Sequence, residues 1–413
     1  MKKSPLARLI WPIYAPSFIY SAGSGAVIPV IALAALAIGF TDAHASAVVG
    51  VFGLVGIVMS PIIGRIITRI GDRIALISGA IIALLALVGA ILSLSLPEGD
   101  ASRALFVVAI VLLSLAGNVW SLARQAYIAQ TVPATHRARA LSTLGGMIRL
   151  GVLVGPIAAT AVLAIWPLVS VFWLEIATTI AAGAMVIAFV LPDSDQGVTA
   201  KQSAAPQPER EPVIPSLYAT FIVGVGINAL NILRANRSVI VPLWGSALGF
   251  QTHFITATFA VTALLDAAIF FISGILMDKR GRLWALVPSL TIMPVAIVVM
   301  VLWQTPVGFV VGAALLGLGN GFGSGIVMTT GADLSPATRK ADFLGIWQAI
   351  VAVGTALGPF IIGWLTDSFS LAVGLWATAG IGVLGMVWLV LLIKPAYRRL
   401  GIDLRGAKLE SAQ

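Results

Sequence analysis

The sequence predicts an all-α polytopic membrane protein, with twelve transmembrane helices arranged as two pseudo-symmetric six-helix bundles. Three observations predict it. Of the 413 residues 59% are hydrophobic and only 10% charged, with a mean hydropathy of +1.04, whereas a soluble domain carries about 25% charged residues. Apolar runs of about twenty residues recur from end to end, each long enough to cross a bilayer as a helix. Two loop motifs then recur in the same order in the two halves. Lipid admits only helices or closed barrels, and the runs lack the two-residue alternation of barrel strands.

The spans are read at about 9–39, 46–67, 74–96, 104–131, 138–165, 168–191, 215–247, 253–277, 283–303, 306–332, 342–367 and 370–393. The opening MKKSPLARLIWPIYAPSFIYSAGSGAV is basic, as a signal peptide is. Its apolar stretch runs to about Phe40, too long for a signal core, so it is expected to be a retained first helix. Residues 192–213, PDSDQGVTAKQSAAPQPEREPV, are rich in Pro, Ala, Gln and charge and read as a flexible linker. They separate an expected bundle over 1–191 from a second over 214–413 with a tail.

Lys and Arg set the orientation. One side collects Lys2, Lys3 and Arg8; Arg65, Arg69 and Arg73; Arg137 and Arg139; Lys201 and Arg210; Lys279, Arg280 and Arg282; Arg339 and Lys340; and Lys394, Arg398, Arg399, Arg405 and Lys408. The opposite side has Arg103. The basic side is expected to be the cytoplasm of a bacterial cell membrane, with both termini inside. The net charge of +9 is thus a topology signal, and no nucleic-acid partner is expected. With no cysteine, and with His44, His136 and His253 scattered, there is no thiolate site; no metal, no cofactor and no enzymatic activity are expected. The expected partners are the lipid bilayer, a small-molecule substrate and protons, and the chain is expected to act as a monomer.

The repeat lies in the loops. GRIITRIGDRIAL begins at Gly64 and GILMDKRGRLWAL at Gly274, each with a second glycine seven residues on, Gly71 and Gly281. VPATHRARAL pairs with LSPATRKADF, and each leads to a glycine helix, GVLVGP (Gly151, Gly155, Pro156) and GTALGP (Gly354, Gly358, Pro359). A duplicated six-helix unit follows, an arrangement common in transporters, whose substrate sites lie between repeats. These residues resemble the major facilitator superfamily. Its Gly-x3-Asp-Arg/Lys-x-Gly-Arg loop signature is present as Gly274, Asp278, Lys279, Gly281 and Arg282. In the first copy, which has Gly64, Arg69, Gly71 and Arg73, Thr68 takes the place of the aspartate. The Gly-x3-Gly-Pro helices resemble the antiporter signature of the drug:proton exporters, although the longer version (Gly345, Gly354, Gly358, Pro359, Gly363) lies on span eleven rather than five. Small residues four apart let helices approach closely and proline bends a helix; such a seam either rocks during transport or serves as tight packing.

Away from the span ends, six charges lie inside spans: Arg124, Arg149, Arg234, Arg237, Glu175 and Asp266. Each costs roughly 2.5–3.5 kcal/mol at the bilayer centre unless it faces a partner or a cavity. At 1.5 Å per residue, Asp266 and Arg234 both lie about 20 Å from the outer ends of their spans and Arg237 about 15 Å. An Asp266–Arg234 or Asp266–Arg237 pair is therefore expected. Asp266 is the leading candidate for proton coupling, with a permanent structural ion pair as the alternative. Glu175, the second candidate, is expected to partner Arg149 or Arg124. Asn228, Asn231, Arg234 and Arg237 read as one polar stripe along span seven. With Arg149, Arg124, Gln125, Asn118 and Tyr20 they form the candidate cavity set, joined by Tyr14, Asn320 and the aromatic walls Trp120, Trp244 and Trp347.

The resemblance implies a secondary active transporter working by alternating access. Four arginines against two acids in the spans favour an anionic, zwitterionic or neutral amphipathic substrate. Proton-coupled efflux is the leading expectation, uptake of a sugar or organic anion by a symporter or uniporter the alternative.

Overall fold

In the computed structural model, residues 7–132, 134–190, 212–336 and 340–406 are described. A short 3-10 turn (Ala7–Leu9) and a π-helical turn (Ile10–Tyr14) lead into α1 (Ala15–Ala37). There follow α2 (Asp42–Ile70), α3 (Asp72–Ser95), α4 (Asp100–Thr131), α5 (Ala134–Leu163), α6 (Ser170–Phe189), α7 (Leu217–Ala247), α8 (Thr252–Arg280), α9 (Leu283–Leu302), α10 (Pro306–Phe322), α11 (Ile326–Leu334), α12 (Lys340–Ser368) and α13 (Leu371–Arg399). Among the described residues, twelve spans are long and apolar enough to cross a membrane, with α10 and α11 sharing one.

Local chemistry sets many of the boundaries. Thr41, Ser216, Thr305 and Ser370 cap α2, α7, α10 and α13 by accepting the backbone N–H three residues on, which satisfies a donor that the helix itself leaves unpaired. Between α2 and α3, and again between α8 and α9, the chain turns on a glycine at positive φ, Gly71 at 85° and Gly281 at 97°. A side chain is disfavoured in that backbone conformation, so the glycine shared by the two loop motifs has a backbone reason.

The described residues fall into two compact units, Met1–Ser203 with Gln251–Ala260, and Ala204–Phe250 with Val261–Gln413. In the first, α1 packs on α5 and α6, α3 on α4 and α6, and α2 on α4. In the second, α7 packs on α12 and α13, and α9 on α10 and α13. The part of α8 beyond Val261 packs on α10, where Gly317 lies against the Thr262 backbone and Gly321 against Asp266 and Ile269. The same neighbour pattern thus occurs twice, as the duplicated motifs require. The linker expected over 192–213 lies outside the described residues except for its last two.

The tenth span, expected over 306–332, is present as Pro306–Leu334 but is not one continuous helix. It is two helices, broken at Gly323–Gly325, with Gly325 in the left-handed region at φ 85°. The run GLGNGFGSG supplies so little side-chain restraint that the chain can leave the helix there. Broken backbone at this depth is tolerated only where protein groups satisfy it. They do so here: Ser273 of α8 donates to the Phe322 carbonyl, Ser289 of α9 to the Gly319 carbonyl at 2.6 Å, and the Trp347 indole of α12 to the Val327 carbonyl at 2.8 Å.

Candidate functional site

The break in the tenth span builds a polar site around Asp266. Arg237 Nη1 lies 3.4 Å from Asp266 Oδ2. Asn320 Nδ2 donates to the same oxygen at 2.6 Å, and Ser324 Oγ donates to Asp266 Oδ1 at 3.2 Å. Arg234 Nε donates to Asn320 Oδ1 at 2.9 Å. The two expected arginines therefore divide the work: Arg237 pairs with the carboxylate directly and Arg234 through an asparagine. The Asp266 and Arg237 side chains are 19% and 16% exposed, so the pair is mostly but not wholly buried. Sequence reading missed Ser324, because it presents itself only when the helix breaks.

The expected single stripe on α7 is two faces. Each three-residue step turns about 300°, so the nine residues from Asn228 to Arg237 bring the helix round by about 180°. Asn228 and Asn231 consequently face α12. The Asn228 amide donates to Ile350 O at 3.0 Å and accepts from Gly354 N–H. Those are the two backbone groups that one α-helical turn would join, so Asn228 is inserted at the ladder of α12 just before Pro359. Asn231 donates to Val351 O at 2.8 Å. Asn236 lies on a third face and donates to Thr378 of α13 at 3.0 Å.

Both glycine-proline motifs are close helix contacts. A Cβ at Gly151 or Gly155 would meet α1 backbone at Phe18, Ala22 and Ala26; one at Gly354 or Gly358 would meet Asn228, Ile232 and Asn236 of α7. In each unit the motif, ending in Pro156 or Pro359, lies on the helix that packs against that unit's first span.

A second polar network closes the α8–α9 loop. Arg282 makes a two-pronged ion pair with Asp333 of α11, Nε to Oδ2 at 2.8 Å and Nη2 to Oδ1 at 2.9 Å. The Tyr397 hydroxyl of α13 donates to Asp333 Oδ2 at 3.0 Å. Burial works against the Arg282 charge, but the Asp333 bonds outweigh it and hold the guanidinium above its ordinary pKa. Residues beyond α13 fold over this pair: Arg282 N–H donates to Leu404 O at 2.8 Å, and Gly406 sits against the Asp333 carboxylate. Asp333 and Tyr397 were not read from the sequence; GADLSPATRK and KPAYRR contain them with nothing to mark them as partners. The signature residue Asp278 is exposed, as are Lys279 and Arg280, and it makes no ion pair among the described residues.

The first unit keeps its internal charges differently. Tyr20 of α1 stacks on Trp120 of α4, with centroids 4.3 Å apart and planes within 2°. Arg124 donates from Nε to the Trp120 carbonyl at 3.0 Å and lies 5.7 Å from the Trp120 ring centroid. Glu175 is 1% exposed, packed where α6 crosses α1 at Gly23. The ion pair expected between Glu175 and Arg149 or Arg124 is not formed among the described residues; Glu175 Oε2 and Arg124 Nη1 are buried without a hydrogen-bond partner. The reason is geometric: Arg124 turns onto its own helix and the indole face. Arg149 is half-buried on α5, six residues before Gly155. Asn118 and Gln125 bond carbonyls of their own helix, at Ser114 (2.9 Å) and Ser121 (3.0 Å). Tyr14 donates to Ala140 O, and Trp244 to Met300 O. In the first copy of the loop motif, Thr68 donates to Arg65 O and Arg73 to Ile187 O; Gly64 and Arg69 lie near the end of α2.

Two like-built six-span units, the second holding buried ionic networks, make up a multi-pass membrane protein. A model of the Major Facilitator Superfamily matches residues 16–341 and again 219–409. The chain belongs to the Major Facilitator Superfamily, whose members are secondary transporters and not enzymes. Similar proteins include the uncharacterized MFS-type transporter Rv1877 of Mycobacterium tuberculosis (strain ATCC 25618 / H37Rv), 25% identical over 40% of this chain and 24% of its own length. The match thus spans about a quarter of that relative. The uncharacterized protein Rv2265 of the same strain is 24% identical over 77% of this chain and 86% of its own. The multidrug transporter protein MdtP of Bacillus subtilis (strain 168) is 26% identical over 32% of this chain and 25% of its own. Among solved structures, a D-xylose-proton symporter covers 98% of this chain and 99% of its own at 16% identity, with a TM-score of 0.73; that likeness concerns the fold.

Proposed function

We propose that this chain carries a small organic molecule across a bacterial cell membrane by alternating access, in exchange for protons and in the direction of efflux. Both termini are on the cytoplasmic side and the monomer is the working unit. The observation that carries the reading is Asp266, a membrane-embedded carboxylate shared between Arg237, Asn320 and Ser324 and still partly accessible. Losing the guanidinium from such a carboxylate favours its protonation, at about 1.4 kcal/mol per pKa unit. A substrate that leaves the Asp266–Arg237 pair closed keeps Asp266 ionised, whereas withdrawal of the guanidinium in the substrate-free carrier favours its protonation, so that substrate and proton occupy the site in alternate states as exchange requires. Two arginines around one carboxylate leave the site positive, which suits an anionic, zwitterionic or neutral amphipathic substrate. The similarity to a protein named as a multidrug transporter supports efflux.

A thermal-shift screen of metabolites and drugs supplies a substrate for proteoliposomes. There, Asp266→Asn is expected to abolish accumulation driven by a pH gradient while downhill exchange persists. Undiminished accumulation by this variant would make Asp266 structural and turn attention to Glu175. The sign of the gradient that drives accumulation decides direction. Uptake of a sugar or organic anion is the second reading, favoured by the Arg234–Arg237 pair, because guanidinium forks match carboxylates. Cysteines at Ser4 and Ser368 are expected to label from opposite sides of the membrane; labelling from one side contradicts the orientation.

A further inference from the structure

The last two turns of α13 carry Lys394, Arg398 and Arg399, all exposed. None of the three makes an ion pair among the described residues. Tyr397, beside them in sequence, turns inward to Asp333, so the cations keep to the outer side of the helix. Lys394 and Arg398, four apart, share a face. Arg399 is held in place by a ring: its Cζ lies 3.9 Å from the centroid of Tyr218, at the start of α7. A guanidinium stacked on an aromatic face is oriented by the stack, while its N–H edge stays open to an anion.

An apolar groove leads away from these cations. On α13, Leu384, Leu391 and Arg398 stand seven residues apart, two turns each, so they lie on one stripe; both leucines are exposed. On α7, Leu217 and Phe221 are exposed as well. Between the two helices the Trp388 indole donates to the Ile222 carbonyl at 2.9 Å and meets the Phe221 ring edge-on, with centroids 6.4 Å apart. Its one polar atom is thus satisfied, and the ring is left as an apolar floor. From Leu384 to Lys394 the helix rises about 15 Å, half of the ~30 Å hydrocarbon core of a bilayer. The apolar stripe is therefore as long as one leaflet is deep, and the cations begin where the headgroups do. We propose that the groove between α7 and α13 binds one anionic phospholipid, with its phosphodiester on Arg399, Arg398 and Lys394 and an acyl chain along Phe221 and Trp388. A free phosphate would use the cations and leave the groove empty, and a zwitterionic lipid would bring a further cation to a site that already holds three. The proposal depends on neither the solute nor the coupling ion.

Native mass spectrometry of the detergent-solubilised protein, titrated with phosphatidylglycerol or with phosphatidylcholine of the same chains, tests this. One phosphatidylglycerol is expected to be held more tightly than any further copy and than any phosphatidylcholine. Lys394→Gln/Arg398→Gln/Arg399→Gln is expected to weaken that lipid on the order of a hundredfold. Arg399→Lys, which keeps the charge and loses the planar fork, is expected to weaken it several-fold. Phe221→Ala is expected to weaken long-chain phosphatidylglycerol and to leave a short-chain analogue unaffected. A control with the same change in net charge at exposed positions of the first unit, Arg8→Gln/Arg65→Gln/Arg69→Gln, is expected to keep the tight lipid. In thermal unfolding, phosphatidylglycerol is expected to raise the apparent Tm of the parent above its value in phosphatidylcholine, and the excess is expected to vanish in the α13 triple variant. Equal retention of the two lipids, or an equal loss in the control triple, overturns the proposal. So does displacement of the lipid by inorganic phosphate, which makes the cations a phosphate site. A dimer that the α13 triple variant abolishes gives the groove to a second copy of the chain and overturns it too. If that variant does not fold, Arg399→Gln alone replaces it in both measurements. No transport is measured, so failure here leaves the proton-coupling proposal standing, and failure there leaves this one.

Discussion

The two halves share a neighbour pattern, turn glycines and helix seams, yet treat charge in opposite ways. In the second half each internal charge is part of a network: Asp266 with Arg237 and, through Asn320, Arg234; Arg282 with Asp333 and Tyr397. In the first half Arg124 bends onto its own helix, and Glu175 sits in a close helix contact without an ionic partner among the described residues. Even the loop motif is reversed, since Asp72, after Gly71, stands where Arg282 stands after Gly281. Duplication has preserved what the backbone needs, because a positive φ or a close helix crossing tolerates few alternatives. Charge can diverge wherever a new partner, or its absence, can be accommodated.

The largest expected effect tests the networks. Arg282→Ala leaves the buried Asp333 carboxylate without its main counter-charge and is expected to cost about 3–5 kcal/mol, read as a drop of several degrees in apparent Tm in detergent. Arg73→Ala, in the matching loop of the first half, removes one bond to a backbone carbonyl and is expected to cost about 1 kcal/mol. Equal drops would break the contrast. The seams sharpen it next. Gly155→Val meets α1 backbone at Ala22, Gly25 and Ala26, whereas Gly358→Val first meets the Asn236 side chain. Both overpack, at about 1–3 kcal/mol, and Gly155→Val is expected to be the worse because backbone yields less than an amide. The reverse order, measured by thermal unfolding, would place the tighter seam in the second half.

Smaller effects separate asparagines. Asn228→Ala removes the bonds to Ile350 O and Gly354 N–H that tie α7 to α12 and is expected to cost about 1–2 kcal/mol. Asn118→Ala gives up only a bond within α4, and its cost is expected to stay within about 0.5 kcal/mol. The smallest change is Glu175→Gln. With one carboxyl oxygen already lacking a partner, removal of the ionisable group relieves a burial cost, and Tm is expected to be unchanged or raised. Loss of pH-driven accumulation in Glu175→Gln, with Asp266→Asn still active, would exchange the roles assigned to the two halves.

By itself the sequence determined the class, the spans, the duplication and the presence of charges within the spans. Those are one-dimensional facts: the length of an apolar run, the count of basic residues in a loop, a repeated spacing. It also placed Asp266 at the depth of Arg234 and Arg237, because rise per residue is constant in a helix. Only the tertiary structure chose Arg237 as the direct partner, turned Asn228 and Asn231 toward α12, and kept Glu175 apart from Arg124. Each of these depends on how far a helix has rotated and which neighbour it meets. Ser324, Asp333 and Tyr397 escaped for the same reason. A serine among glycines, an aspartate before a loop and a tyrosine near a basic tail gain meaning only when a helix breaks and other spans bring their partners within bonding distance.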